Sequence, residues 1–469
     1  MSEPTLAEQL SAFARDQRCD TLPDDVRKAV RDRVLDTVGL CLASTGVPAA
    51  AAVLDYARHL GGRPEATAIG CMELLPAANA ALVNGVLAHG LDFDDTHLPS
   101  ILHPSASVVP AALATAEAQG ASGEDLVAAV AVGLEACVRL GMAGYDKTTN
   151  NSVYFEHGQH ATSICGAIGS AIASAKLLGA DDGQVLSAIG VSASMASGII
   201  EANRTGGTVK QVHCGWAAHA GVTAANLAMR GVTGPPTVLE GRFGFFEAFL
   251  RDRIDLAAVT TGLGSSWGML DINVKPYPAN YFTHTGIDAA IAVRARGVKP
   301  HDIAAVRLGV ARPTVRTIGD PIESKRRPAT GYQGRFSGPY AIAAALFGGS
   351  GLGLGLDDFT DELVHDPQRQ ALMDRIEVFA DTRCDQGYPY DLPASLEVTL
   401  TDGSVLAEWV PFNRGGPRRP LGPDDLIAKF RSTASMSLPE EKVDELLRVV
   451  VSLDSVGDVK VIGRLIGSR

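Results

Sequence analysis

The chain has no CxxC pair. Its seven cysteines, at 19, 41, 71, 137, 165, 214 and 384, are widely scattered and mostly sit in apolar helical stretches. That spacing reads as buried thiols in a reducing cytoplasm, not as a disulfide framework. It also lacks an excess of positive charge, with 41 Lys and Arg against 53 Asp and Glu and a net charge of −12. Nucleic acid and acidic membrane surfaces are therefore excluded as main partners, and an anionic ligand would need positive charge concentrated locally. Met1 to Thr5 shows no basic segment leading into an apolar one, so no signal peptide is expected. No long uninterrupted apolar run exists either. The best, Ala161 to Leu178, is broken by Ser, Thr and Lys176, and its small residues suit close packing in a soluble core. There are no repeats, and the 50 glycines are spread through apolar stretches instead of forming low-complexity runs.

What is present is concentrated in one place. Between positions 89 and 103 fall His89, Asp92, Asp94, Asp95, Thr96, His97 and His103, in an otherwise apolar chain. Alanine-rich, helix-period sequence precedes this stretch from Ala77 to Ala88. Val108 to Ala118 reads as a helix after it, with Pro110 tolerable in a first turn. The cluster is thus expected as a loop fixed between two helix ends, where reactive groups commonly sit. Each residue alone has a structural reading, as a helix cap or a hydrogen-bonded core histidine. A metal reading also exists, because Asp92, Asp94, Asp95 and His97 are cation ligands by type. It requires a second acidic motif on a facing helix, and the sequence holds none, so no metal is expected.

At 469 residues the length allows about three domains. Helical periodicity runs from Thr5 to about Gly231, with Ala29, Val30, Val34, Leu35, Val38 and Leu42 as one apolar stripe. Further helices are read at 161–178, 182–200 and 214–230. Composition shifts near Trp267. Ile303 to Ile318, Ile376 to Ala380 and Leu396 to Leu400 read as strands, Asp402-Gly403 as a hairpin turn, and 283–295, 338–347 and 358–373 as helices. Helices return after Gly415-Gly416-Pro417. The expected fold is mainly α: an all-helical domain from 1–268 and 416–469, with an α+β lid domain at 269–415 inserted between them. Hinges are expected near Trp267–Pro278 and Pro411–Pro420, where proline and glycine gather.

Polar residues recur at four further helix starts. They are Glu156-His157-Gly158-Gln159-His160-Ala161-Thr162-Ser163, where Thr162 or Ser163 can cap a helix whose N-terminus favours an anion; Asn203-Arg204-Thr205-Gly206-Gly207-Thr208-Val209-Lys210, followed by His213; Lys275-Pro276-Tyr277-Pro278 with His284 opening the next helix; and Tyr332 to Tyr340, with Arg335 inside.

Together these stretches resemble the MmgE/PrpD family. Gly85 through Thr96 with His103-Pro104-Ser105, Gly158 to Ser163, Lys210 before a histidine-bearing helix, Lys275-Pro276-Tyr277-Pro278, Phe336-Ser337-Gly338-Pro339-Tyr340 and Gly416 to Leu421 follow its motifs in order across nearly the whole chain. Family members include 2-methylcitrate dehydratase, cis-aconitate decarboxylase and an iminodisuccinate epimerase. The resemblance implies a homodimer, no metal or organic cofactor, and an active site in the cleft between its two domains. Carried over residue by residue, Asp92, His103, His160 and Lys210 are the catalytic candidates, and Thr96, Lys275 and Tyr340 the substrate-binding ones; His97 and His157 receive no role.

The chemistry these groups support is making or quenching a carbanion beside a carboxylate of a small di- or tricarboxylic acid. Lysines hold carboxylates and spread enolate charge, and an imidazole moves the proton. A dehydratase needs an acid and a base, a decarboxylase an acid, and an epimerase two groups on opposite faces. The expectation is a cofactor-independent lyase, with an epimerase of a succinate-derived acid as the alternative on the same groups. A metal-dependent helical enzyme on Asp92, Asp94 and Asp95 and a catalytically silent binding protein are the rival classes.

Overall fold

The computed structural model describes residues 3–202 and 207–467. The motif residues Asn203, Arg204, Thr205 and Gly206 lie outside them. The fold is mainly α, in two compact units: residues 3–272 with 430–467, and residues 273–429. The sequence reading puts the limits at 268 and 415; in the structure the second limit falls within the helix Pro423–Ala434.

The first unit is built from α1 (Leu6–Asp16), α2 (Asp24–Ala43), α3 (Pro48–Leu60), α4 (Ala77–His89), α5 (Ser105–Gln119), α6 (Gly123–Met142), α7 (Ala161–Leu177), α8 (Asp182–Met195) and α9 (Val209–Ala228), with Glu440–Val451 and Lys460–Ile466 added from the C-terminal part. Local sequence explains their starts. Thr5 and Glu8 form a capping box on α1, Ser122 and Asp125 one on α6, and Asp181 and Gln184 one on α8. Pro48 occupies the first turn of α3, where its missing N–H costs nothing. In α4 and α7 nearly every residue is buried, as expected of helices apolar all round. Among the described residues no single helix is long and apolar enough to cross a membrane.

Two boundaries bear on the site. Helix α5 starts at Ser105, three residues before the sequence expectation, so Pro110 lies past its first turn and removes one intrahelical hydrogen bond. Helix α9 starts at Val209, five residues earlier than read, which puts Lys210 and His213 in its first two turns. Helices α4 and α9 touch backbone to backbone. A Cβ on Gly215 would lie 2.2 Å from the Leu82 carbonyl oxygen, and one on Gly85 would lie 2.6 Å from Gly215 Cα. Only glycine permits this approach. It sets the start of α9 beside the loop that follows α4.

The second unit carries one four-stranded sheet of β1 (Ile303–Val310), β2 (Ile376–Ala380), β3 (Ala394–Leu400) and β4 (Val405–Val410), in the order β2-β1-β3-β4. β1 and β2 are parallel, with Val306 opposite Ile376, and the other pairs are antiparallel, with Leu308 opposite Leu396. The Asp402-Gly403 hairpin joins β3 to β4, and Gly403 takes φ 86°. Ile287, Leu308, Tyr340, Ile342 and Leu396 belong to its apolar core. The strand expected over Ile303 to Ile318 ends at Val310. From Arg312 the chain is a helix with Pro313 in its first turn, because proline cannot continue the ladder but fits a helix start. Likewise the helix expected over 358–373 is divided into Asp361–Val364 and Pro367–Met373, since the residue before a proline avoids helical geometry.

Candidate active site

Helix α4 ends at His89 and the loop from Gly90 to Pro104 leads into α5. The loop is tightly held. Asp92 takes φ 53°, a left-handed conformation that aspartate tolerates better than most residues, and Ile101 takes φ 55° at the tip of a turn. His97 and Leu102 close that turn by exchanging backbone hydrogen bonds of 2.8 and 3.2 Å. Asp95 anchors the far end: its carboxylate accepts from the Ser105 backbone N–H at 3.3 Å and from the Ser105 hydroxyl, serving as the cap of α5 from outside the helix. Arg33 Nε sits 3.8 Å from the same carboxylate. Burial outweighs the pull of Arg33 and Ser105 and pushes the Asp95 carboxyl up to about 6.

Four imidazoles form a row, with ring centroids 5.1 Å apart for His103 and His89, 5.9 Å for His89 and His160, and 5.0 Å for His160 and His213. His103 Nδ1 lies 2.7 Å from the Asp95 carbonyl oxygen, 3.3 Å from Thr96 Oγ1 and 3.7 Å from Asp94 Oδ2. A carbonyl can only accept, so Nδ1 carries the proton and Nε2 is the nitrogen that changes state. His89 Nδ1 lies 2.7 Å from Asp94 Oδ2, both deeply buried. Burial opposes charge on His89, but Asp94 overrides it and raises the imidazole to about 10. His160 and His213 face each other with their Nδ1 atoms 2.9 Å apart. Burial, with the charge of Lys210 and His89, holds His160 well below the usual histidine range; burial and the same two neighbours lower His213 to about 4.

Lys210 Nζ donates to Asp92 Oδ1 at 3.1 Å, and Gln211 Nε2 donates to the Gly90 carbonyl at 3.0 Å, tying the start of α9 to the loop. His160 is the N-cap residue of α7. Thr162 and Ser163 do not cap that helix as read from the sequence. The Thr162 hydroxyl instead accepts from the His103 backbone N–H at 3.1 Å, and the Ser163 hydroxyl donates to the His213 carbonyl at 3.1 Å. They join α7 to the loop and to α9.

Asp92, Thr96, His103, His160 and Lys210 are thus brought together within the first unit. Lys275 and Tyr340 belong to the second. There Lys275 is buried, and the Tyr277 hydroxyl two residues on donates to Asp288 at 2.6 Å. Tyr340 is fully buried in that unit's core, where its hydroxyl donates to the Asp358 carbonyl at 2.5 Å. His97 is a neutral structural ring: its Nδ1 sits 2.6 Å from Ser100 Oγ, and burial lowers it to about 4. His157 is exposed beside the Phe249 carbonyl, and the Arg335 guanidinium lies 5.8 Å from the Tyr332 ring centre.

Three residues of this arrangement, His89, Asp94 and His213, stand in the stretches read from the sequence but not among its catalytic or substrate-binding candidates. Their signals are spacing. Lys210 and His213 stand three apart on one helix face, and His89 is the last residue of a helix whose following loop is acidic. The three carboxylates divide among different partners, Asp92 with Lys210, Asp94 with His89 and Asp95 with Arg33 and Ser105, so the metal reading of that triplet has no converging donor set. Among the described residues, His89, Asp94 and His103 bring ligand-type atoms within 4.8 Å. There Asp94 Oδ2 faces His89 Nδ1 at 2.7 Å, and His103 Nδ1 faces the Asp95 carbonyl at 2.7 Å.

Family models for the MmgE/PrpD N-terminal domain and the MmgE/PrpD C-terminal domain match residues 8–256 and 277–455. The chain belongs to the MmgE/PrpD family. It is 32% identical over 466 residues to the cis-aconitate decarboxylase of Homo sapiens, covering 95% of this chain and 91% of that protein. It is 30% identical to the cis-aconitate decarboxylase of Mus musculus, covering 98% and 93%. To the mitochondrial 2-methylcitrate dehydratase of Yarrowia lipolytica it is 28% identical, over 50% of this chain and 46% of that protein. This MmgE/PrpD chain is an enzyme of the lyase class.

Proposed function

We propose that the protein is a decarboxylating lyase that acts on a small unsaturated tricarboxylate of the cis-aconitate type through a carbanion stabilised by a neighbouring carboxylate. The observation that carries this reading is His103, whose Nδ1 donates to a backbone carbonyl so that Nε2 is the nitrogen through which it can exchange a proton, in a site that also holds Lys210. Similarity to cis-aconitate decarboxylases over nearly the full length, against half the length for the dehydratase, supports decarboxylation over dehydration.

In this reading the bond from carbon to one carboxylate breaks and CO2 leaves. The electron pair stays on carbon, conjugated through the double bond with a remaining carboxylate, and one proton from His103 Nε2 completes the product. A base-plus-acid pair, which dehydration needs, is not required. Lys210 holds a carboxylate and the charge that develops on it. Asp92 keeps that ammonium in place, and the Asp94 carboxylate lies 3.7 Å from His103 Nδ1. The family resemblance adds Lys275 as a further carboxylate anchor and Thr96 as a positioning hydroxyl. The Tyr340 hydroxyl donates to the Asp358 carbonyl. The working form is taken as a cytoplasmic homodimer needing no metal or organic cofactor.

NMR of purified protein with cis-aconitate in D2O tests the reading. Equimolar CO2 and an unsaturated dicarboxylate carrying one deuteron are expected. Water addition or loss without CO2 would make it a dehydratase, and deuterium exchange without net conversion of a succinate-derived acid would make it an epimerase.

A further inference from the structure

The Nδ1–Nδ1 contact of 2.9 Å between His160 and His213 requires a proton on one of the two nitrogens and none on the other. Two bare nitrogens would repel, and two N–H groups would collide, so one ring donates and the other accepts. His160 is fixed at the N-cap of α7, its backbone N–H donating to the Gly198 carbonyl at 3.0 Å, and the Ser163 hydroxyl ties α7 to the His213 carbonyl. Both rings are buried, in a setting that also contains His89, His103, Lys210, Asp92 and Asp94. With Nδ1 committed to His213, the nitrogen that His160 offers elsewhere is Nε2.

Which ring donates follows from the ligand, and this step rests on the proposed function. A tricarboxylate presents hydrogen-bond acceptors, so a neutral histidine can favour it only with an N–H. His160 must then hold its proton on Nε2, and its bare Nδ1 must accept from His213. We infer that His213 is a positioning residue that donates its Nδ1–H to His160 Nδ1 and thereby makes His160 Nε2–H a fixed neutral donor to an anionic substrate. The cationic surroundings suit a neutral donor here, since burial, with Lys210 and His89, resists a further charge on either ring.

Asparagine and aspartate place a side-chain atom where His213 Nδ1 lies, one bond from Cγ, and they differ in polarity. The amide can donate to His160; the carboxylate can only accept, and so forces His160 into the opposite tautomer. His213→Asn is expected to keep kcat/KM for cis-aconitate within about threefold of the unaltered protein, and His213→Ala to lower it on the order of 10–100-fold. His213→Asp should fall below His213→Ala although it retains a hydrogen bond. Imidazole 15N spectra of the full protein with tricarballylate, a saturated tricarboxylate probe, should show His160 protonated at Nε2 and His213 at Nδ1. Aspartate matching or exceeding asparagine, equal activity in all three folded variants, or a His160 Nδ1–H resonance would each overturn the inference. If cis-aconitate is not turned over but the two tautomers are as stated, the proposed reaction fails and the positioning role stands.

Discussion

Lys210 Nζ lies 3.1 Å from Asp92 Oδ1, and Asp92 holds that oxygen in place from a left-handed backbone, φ 53°. The pair is largely removed from water, with 15% and 6% of the two side chains exposed. A lysine tethered this way reaches a carboxylate with little freedom left to lose. Asp92→Asn keeps the backbone preference and removes the charge, so kcat/KM should fall on the order of tenfold or more with the melting temperature little changed. Lys210→Met should chiefly raise KM. Steady-state kinetics and a thermal melt of both variants check this; an unchanged KM in Lys210→Met would remove the lysine from carboxylate binding.

His103 is held through Nδ1 by a backbone carbonyl that no side-chain replacement deletes. As general acid it should contribute roughly 10²–10⁴-fold. His103→Gln should lower kcat by that order while the folded protein melts within a few degrees of the original. The opposite pattern, a lowered melting temperature with full turnover per folded molecule, would make the ring structural and move proton transfer to another group.

Much of this site was legible from residue types and spacing. The loop between two helix ends and the helix start after His160 follow from periodicity and helix-start chemistry, while Lys210 entered through the family resemblance. What was not legible came from tertiary contact. Nothing local says that Asp94 pairs with His89 and Asp95 with Ser105, because three neighbouring carboxylates look alike until the loop turns at Asp92 and Ile101. Thr162 and Ser163 have cap chemistry at a helix start, yet their hydroxyls reach the His103 N–H and the His213 carbonyl, a choice made by α5 and α9 packing close by. In the second unit, the alternation after Val310 continues in sequence but the chain turns helical, since Pro313 has no N–H for the ladder.

The buried neutral histidines predict an acid limb in stability. His97 titrates near 4 in the folded chain and near 6.5 when unfolded. Above 6.5 both states are neutral and the ring adds no pH dependence. As pH falls from 6.5 to about 4 the unfolded chain gains a proton that the folded chain refuses, which costs about 3 kcal/mol. His213, lowered to about 4, acts in the same direction; His89, raised to about 10, loses its contribution only as pH rises from 6.5 toward 10; and Asp95, raised to about 6, opposes the acid effect. His97→Asn leaves the other three in place and can still bond Ser100. Its melting temperature should decline less than that of the unaltered protein between pH 6.5 and 4.5. Parallel slopes would show that His97 is charged or exposed in solution.

Arg33 supports the loop from the opposite side. Its Nη2 donates to the carbonyls of Met269 and Ile272 at 3.1 and 2.8 Å, and Nη1 to that of Ala29 at 3.2 Å, while Nε faces the Asp95 carboxylate. Removing it would leave a buried carboxylate without its cation and the Ile272 carbonyl without its guanidinium donor, while the Met269 carbonyl keeps the Ile272 N–H at 3.3 Å. Arg33→Met should therefore cost about 3–5 kcal/mol in urea unfolding. Asp95→Asn in the same chain removes the stranded charge and should recover part of that loss, so the double variant should be less destabilised than the sum of the two single ones. Because the Asp95 carbonyl holds His103 Nδ1, Arg33→Met should also lower kcat in the fraction that remains folded, with KM less affected. Strictly additive unfolding energies would separate Arg33 from Asp95, and an unchanged kcat would separate the loop anchor from the His103 ring.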